Sequence, residues 1–220
     1  MKNYFDLLTN VPLFAGISEE DMQRMFGCLG AWFKSFQKGD ALILAGEPVP
    51  AFGVMLNGTA DIVREDISGA RAMIAKAEAG ELFAESFACG EVAESPISVF
   101  ASTECEVLLL PVKGLLAVCP NACAFHGRLV ENMMRLLAQK NILLHDKMEL
   151  LTKKTIRERL TAYLYMVAQK QGSRSFTIPF SRSELADYLC TDRSALSREL
   201  STMQNEGLIT FNRNQFHLLR

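Results

Sequence analysis

Glycine recurs about every ten residues between Phe36 and Leu110, at Gly39, Gly46, Gly53, Gly58, Gly69, Gly80 and Gly90. A long helix does not run through such a series, because each interior glycine costs it about 1 kcal/mol. Tight turns between short strands use glycine's conformational freedom instead. The intervening segments "ALILAG", "AFGVMLNG", "TADIVRED", "ARAMIAKA", "SPISVFAS" and "CEVLLLP" are short and rich in apolar residues. Many short strands joined by tight turns predict a β-roll, barrel or sandwich.

Helical signals flank this region. Before it, "SEEDMQRMFGCLG" offers Ser18 as an N-cap and Glu19, Glu20 and Asp21 in the first turn, where the helix dipole favours negative charge. After Pro120 a long stretch carries no internal proline and, beyond Gly127, no glycine. Leu129, Leu136, Leu143 and Leu150 recur every seven residues, and Val130, Leu137, Leu144 and Leu151 repeat one position later. One helix therefore offers two adjacent apolar stripes. One arrangement buries one stripe on the chain's own β-roll and the other against a second copy. The alternative buries the helix wholly within one chain.

The remainder is read from "TIRERLTAYLYMVAQKQ", a helix ended by Gly172, and "SFTIPF", a short extended piece. In "FSRSELADYLCTDRSALSREL", Ser181 and Glu184 form a capping box, and Leu185, Ala186 and Leu189 make the apolar face of the helix it starts. Asp192 caps a second helix with Leu196, Leu200 and Met203 facing inward. Two short helices across a tight turn predict a helix-turn-helix. Arg193, Ser194, Ser197 and Arg198 then fall on the outer face, where arginine forks suit guanine or phosphate and small hydroxyl residues permit close approach to a major groove. "LITFNRNQFHLL" alternates about Asn212-Arg213-Asn214, a β-hairpin that makes the module winged and sets Arg213 at its tip to meet phosphate.

Charge supports this division. Net charge is −2 overall, yet residues 1–150 hold 12 Lys+Arg against 19 Asp+Glu, or −7, and residues 151–220 hold 11 against 6, or +5. A basic domain beside an acidic one is expected where one half meets a polyanion. The start "MKNYFDLLTN" lacks the apolar region of a signal peptide and no run is long enough for a membrane helix, so no membrane partner and a cytoplasmic location are expected. Six cysteines at irregular spacings fit reduced thiols. No nucleophile elbow, P-loop, HExxH or dinucleotide fingerprint points to an enzyme.

"FQKGDALILAGE", "FGVMLNGTADI", "AGELFAES" and "ELADYLCTDRSALSRELSTMQNEGLI", in this order, resemble the CRP/FNR family of bacterial transcription regulators. The resemblance implies an α+β protein: an N-terminal antiparallel β-roll, jelly-roll-like, over residues 1–120, a long dimerisation helix over 121–151, and a winged helix-turn-helix DNA-binding domain over 152–220. It implies a homodimer on a double-stranded DNA operator, RNA polymerase as a further partner, and a small effector. The alternative is a ligand-sensing signalling module that acts through protein contacts.

The family's phosphate-binding cassette corresponds to "GELFAESFACGEVAESPISVFA", with Glu81, Glu85, Ser86 and Ser95 as candidate effector contacts and Lys140, Leu144 and His145 added from the long helix. In members that bind cyclic AMP a glutamate holds the ribose and an Arg-Ser pair the phosphate. Glu85 stands in the glutamate's place, and Ser95-Pro96 replaces the pair. An unneutralised phosphate beside Glu81 and Glu85 costs several kcal/mol, so cyclic AMP is not the expected effector. An iron–sulfur centre is not expected either, since Cys28 is the N-terminal segment's lone cysteine. Haem is not expected: His217 belongs to the wing, and His126 and His145 on the long helix read as surface or interface residues. Cys119, Cys123 and His126 would share one helical face and could bind zinc or form a redox pair, but Pro120 places Cys119 before the helix, no fourth ligand is evident and free cysteines are commonly buried as small hydrophobes, so neither metal nor redox sensing is the expected reading.

Overall fold

The computed structural model of the protein describes residues 4–65, 71–117 and 124–219. Contacts divide the chain into two compact units, residues 1–139 and 140–220, and the division falls inside the longest helix.

The first unit opens with α1 (Phe5–Leu8) and α2 (Glu19–Leu29). Ser18 caps α2 by accepting from the Asp21 N–H at 3.2 Å, and Gly30 ends it in the left-handed region at φ 67°. Strands β1 (Trp32–Phe36), β2 (Ala41–Ile43), β3 (Ala51–Asn57), β4 (Thr59–Glu65), β5 (Arg71–Glu78) and β6 (Leu82–Phe83) precede the short helix α3 (Glu85–Cys89), and β7 (Ser98–Ala101), β8 (Cys105–Pro111) and α4 (Val112–Leu116) follow it. They form two antiparallel four-stranded sheets, ordered β1-β8-β3-β6 and β2-β7-β4-β5. The predicted antiparallel roll is present, although it begins at Trp32, before the first of the spaced glycines.

β3 is buried at six consecutive positions, Ala51 to Leu56, so both of its faces are covered. It pairs with β8 through Phe52–Leu110 and Val54–Leu108, and these residues join Phe83, Val99 and Val107 in one core with Met22, Met25 and Leu29 of α2. Two glycines are demanded by this packing. At Gly53 a Cβ would lie 2.0 Å from the Phe83 ring, and at Gly58, φ +77°, it would lie 2.3 Å from the Glu104 carbonyl oxygen.

The long helix α5 (Ala124–Thr152) is continuous over 29 residues. Leu129, Asn132 and Met133 are buried at its start. The Asn132 amide donates to the carbonyls of Leu13 and Ala15, each at 2.9 Å, and so anchors this half to the N-terminal segment. Further along, Leu143, Leu144 and Met148 stand largely exposed. Among the described residues no helix is long and apolar enough to cross a membrane.

The second unit adds α6 (Ile156–Gln171), β9 (Ser175–Thr177), α7 (Arg182–Tyr188), α8 (Arg193–Asn205), β10 (Ile209–Asn212) and β11 (Gln215–Leu218). Its three strands form one antiparallel sheet, β10-β11-β9, and its core gathers Leu150, Leu160, Leu164, Leu185, Leu196, Leu200 and Phe216.

Candidate nucleic-acid interface

The helix pair is built from local signals. Ser181 Oγ accepts from the Glu184 N–H at 3.3 Å and Glu184 Oε2 accepts from the Ser181 N–H at 2.7 Å, the reciprocal capping box. Those bonds to the charged form hold the Glu184 carboxyl below the usual carboxylate range. Leu185, Ala186 and Leu189 are buried as expected. The turn passes through Cys190 at φ +49°, with its N–H donating to Asp187 and that of Thr191 donating to Ala186. Asp192 takes the N-cap position of α8, but its side chain makes no capping hydrogen bond.

Leu196, Leu200 and Met203 turn the inner face of α8 into the core. Arg193, Ser194 and Arg198 are exposed, and Ser197 is half-buried. Ser197 Oγ donates to the Arg193 carbonyl at 2.9 Å, Ser201 to Ser197 at 3.1 Å and Thr202 to Arg198 at 3.0 Å, so these hydroxyls lie against their own helix. Arg213 sits at the tip of the β10–β11 hairpin at φ +53°, exposed.

Five arginines of this unit fall into two groups. Three are engaged internally. Arg157 donates to Glu199 at 2.5 Å and to both carboxylate oxygens of Glu206 at 2.9 Å, tying α6 to α8. Arg159 donates to the carbonyls of Lys153, Leu189 and Cys190, satisfying the end of α7. Arg182 lies over the Phe211 and Phe216 rings, 5.1 and 5.9 Å from their centroids, and donates to the Arg213 carbonyl at 3.1 Å. Burial lowers its pKa. Arg193 and Arg198, by contrast, make neither a side-chain hydrogen bond nor a salt bridge among the described residues. Arg157, Arg159 and Arg182 escape a reading by local pattern, since their partners lie 30 to 49 residues away for the tertiary bonds.

The effector candidates differ in burial. Glu85 is buried at the start of α3, while Ser86 is exposed. Glu81 Oε2 accepts from the Glu78 N–H at 2.9 Å. Ser95 is buried, and its hydroxyl donates to the Ile97 carbonyl at 2.7 Å. Lys140, Leu144 and His145 are exposed on α5. A separate cavity of about 760 Å³ is lined by Tyr4, Phe5, Phe26, Phe33, Leu56 and Glu106, among others, and none of the cassette candidates borders it.

Cys119 and Cys123 lie outside the described residues. His126 differs from its expected surface or interface place: it is buried, with Nε2 2.8 Å from the Leu115 carbonyl. Burial, with the charge of Glu85 adding to it, pushes the Cys89 thiol up, and burial does the same to Cys105, so both are held away from the reactive thiolate.

Two domain profiles match the chain: the cyclic nucleotide-binding domain over residues 33–121 and the Crp-like helix-turn-helix domain over residues 158–220. The transcriptional activator protein FnrL of Cereibacter sphaeroides is 24% identical over 198 residues, covering 81% of this chain and 72% of that protein. The fumarate and nitrate reduction regulatory protein of Escherichia coli is 25% identical over 182 residues, covering 80% and 70%. In fold, the catabolite activator protein of Thermus thermophilus superposes with a TM-score of 0.55 at 24% identity, covering 94% of this chain and 93% of that one. A sensing domain of the cyclic-nucleotide-binding type joined to a Crp-like helix-turn-helix defines a class, the effector-controlled DNA-binding transcription regulators. Within that class, this chain belongs to the CRP/FNR family.

Proposed function

We propose that the protein acts as a homodimer, paired along the long helix, that reads a double-stranded operator with the exposed face of α8. Residues 1–120 sense, 121–151 pair and 152–220 bind DNA. The observation that carries this reading is the sorting of the arginines: Arg157, Arg159 and Arg182 hold the unit together, while Arg193 and Arg198 project from α8 without an ion pair among the described residues. In a two-fold dimer, two such helices enter successive major grooves about 34 Å apart. Arg193 and Arg198 reach base edges or phosphate, Ser194 and Ser197 permit close approach, and Arg213 on the wing meets phosphate.

The effector is a small molecule other than cyclic AMP. Pro96 has no N–H to donate, the Ser95 hydroxyl is engaged with Ile97, and Glu81 and Glu85 give the cassette acidic character, which together favour a neutral or cationic ligand. RNA polymerase is the further partner, as the activator among the relatives suggests.

The test is selection of an operator from random duplexes, followed by binding at two salt concentrations. Arg198→Ala should lose about 1–3 kcal/mol on the selected site and relax base choice there. Unchanged affinity and unchanged selected sequence in both Arg193→Ala and Arg198→Ala would remove α8 from the interface. Calorimetric titration with cyclic AMP should show no binding at micromolar concentration.

A further inference from the structure

Two stripes of leucine recur along α5, and a third set of positions completes one of them. Val130, Met134, Leu137, Asn141, Leu144, Met148 and Leu151 follow one another at spacings of four and three residues. This is the seam of a two-stranded coiled coil, with Val130, Leu137, Leu144 and Leu151 at one core position of the heptad and Met134, Asn141 and Met148 at the other. Met134, Leu144 and Met148 are 68%, 63% and 62% exposed. Large apolar side chains left this open, in heptad register over the two heptads from Met134 to Met148 of a single helix, fit a second copy of the same helix. Leu129, Asn132 and Met133 meanwhile occupy the inner face with the chain's own first unit, and Val130 and Leu137, half-buried at its margin, touch both that core and the seam.

Six of the seven seam positions are apolar. The seventh is Asn141, in the middle of the series and exposed, with no hydrogen bond to its amide among the described residues. We infer that Asn141 sets the register of the paired helices: it meets its own symmetry mate across the two-fold axis, each amide N–H donating to the other's carbonyl oxygen. This rests on the pairing of two copies along α5. It adds the residue that chooses one alignment from several that leucine and methionine alone would tolerate.

The choice follows from hydrogen-bond satisfaction. In the aligned parallel pair both amides find a partner. Slipped by one heptad, Asn141 faces Met134 or Met148, whose thioether sulfur is at best a weak acceptor, and two buried amides go unsatisfied. A single polar residue at this heptad position is known to fix register and strand number at a cost in stability. The consequence reaches DNA reading, because one heptad of slip along a helix is a displacement of about 10 Å. Two recognition helices spaced for successive grooves do not tolerate that.

The experiment is sedimentation equilibrium on the full chain and on Asn141→Asp, Asn141→Lys, an equimolar mixture of the two, and Ile142→Asp as a control. Ile142 is 58% exposed and lies off the seam. Circular dichroism checks that each variant is folded. The wild-type chain should be dimeric at micromolar concentration. Asn141→Asp and Asn141→Lys, each placing like charges face to face, should weaken the dimer about tenfold or more. Their mixture should recover dimer to near the wild-type level, since an Asp opposite a Lys attracts only if position 141 faces position 141. Ile142→Asp should leave the dimer within about twofold of wild type. A mixture that dissociates like its separate components, or an Ile142→Asp dimer as weak as Asn141→Asp, would overturn the assignment of Asn141. A wild-type monomer would instead overturn the pairing itself, before any variant is compared.

Discussion

The Lys147 ammonium donates to the Tyr188 carbonyl and stands 3.6 Å from the centroid of the Tyr188 ring. The carbonyl belongs to the last residue of α7, where helix geometry leaves acceptors without intrahelical partners and the dipole favours a cation. With Arg159 donating to Leu189 and Cys190, two cations from neighbouring helices close the C-terminal end of the first helix of the pair. Burial lowers the Lys147 pKa, outweighing the raising effect of the Cys190 thiol, so its desolvation opposes part of the gain. Lys147→Met keeps the apolar stem and removes the donor, and should cost about 1 kcal/mol. Amide hydrogen exchange should therefore quicken about fivefold at the end of α7 and in the turn, while the β-roll amides of the first unit are unaffected. Uniform rates throughout would mean that the contact holds nothing.

Arg157 neutralises two carboxylates, one of them, Glu199, on α8 itself. Removing it leaves Glu199 and Glu206 as unpaired negative charges on or beside the helix proposed to read DNA. Arg157→Met should weaken binding to every duplex alike, without changing the selected sequence. A change in base preference would instead place Arg157 in direct readout.

Acid should act on the caps. Glu158 and Glu184 accept backbone N–H bonds at the starts of α6 and α7, and Glu206 pairs with Arg157, and all three carboxyls lie below their ordinary value of 4.5. The unfolded chain takes up these protons first as pH falls. Their contribution is therefore complete above the ordinary carboxylate value and is lost as pH drops through their lowered folded values. The thermal midpoint of the second unit should be flat near neutrality and decline below about pH 4.5. Glu158→Gln/Glu184→Gln should start lower and decline less steeply. An equally steep decline in that double variant would place the acid-labile groups elsewhere.

What the sequence discloses follows from how far apart the interacting groups lie. Ser181 and Glu184 are three residues apart, and so are Thr155 and Glu158, which form a second capping box. The T-x-x-E pattern of the second is as plain in the sequence as the S-x-x-E of the first. Gly58 and Gly172 are legible because a left-handed backbone needs glycine. Lys147 and Tyr188, 41 residues apart, and Arg157 with Glu206, 49 apart, follow no local rule. Their meeting is a product of how the helices pack. His126 illustrates the same limit: its position on a helix is local, but its burial and its contact with the Leu115 carbonyl follow no sequence spacing. In the cassette, Ser95-Pro96 announces the missing cation in sequence, while the engagement of the Ser95 hydroxyl with Ile97 needs coordinates.

The wing gives the last prediction. Arg182, the first residue of α7, spreads its guanidinium over Phe211 and Phe216 and donates to the carbonyl of Arg213, whose left-handed backbone forms the hairpin tip. The first helix of the pair thus holds the backbone of the hairpin tip that carries the wing's basic side chain. Arg182→Leu should preserve much of the apolar cover over the rings and lose the bond to the tip. Arg213→Ala removes the proposed phosphate contact and should weaken all duplexes by a similar factor. If Arg182 acts by positioning Arg213, the double variant should bind no more weakly than Arg213→Ala alone, a coupling that independent contacts would not show. Additive losses in the double variant, measured on the selected operator at fixed salt, would make Arg182 a contact in its own right.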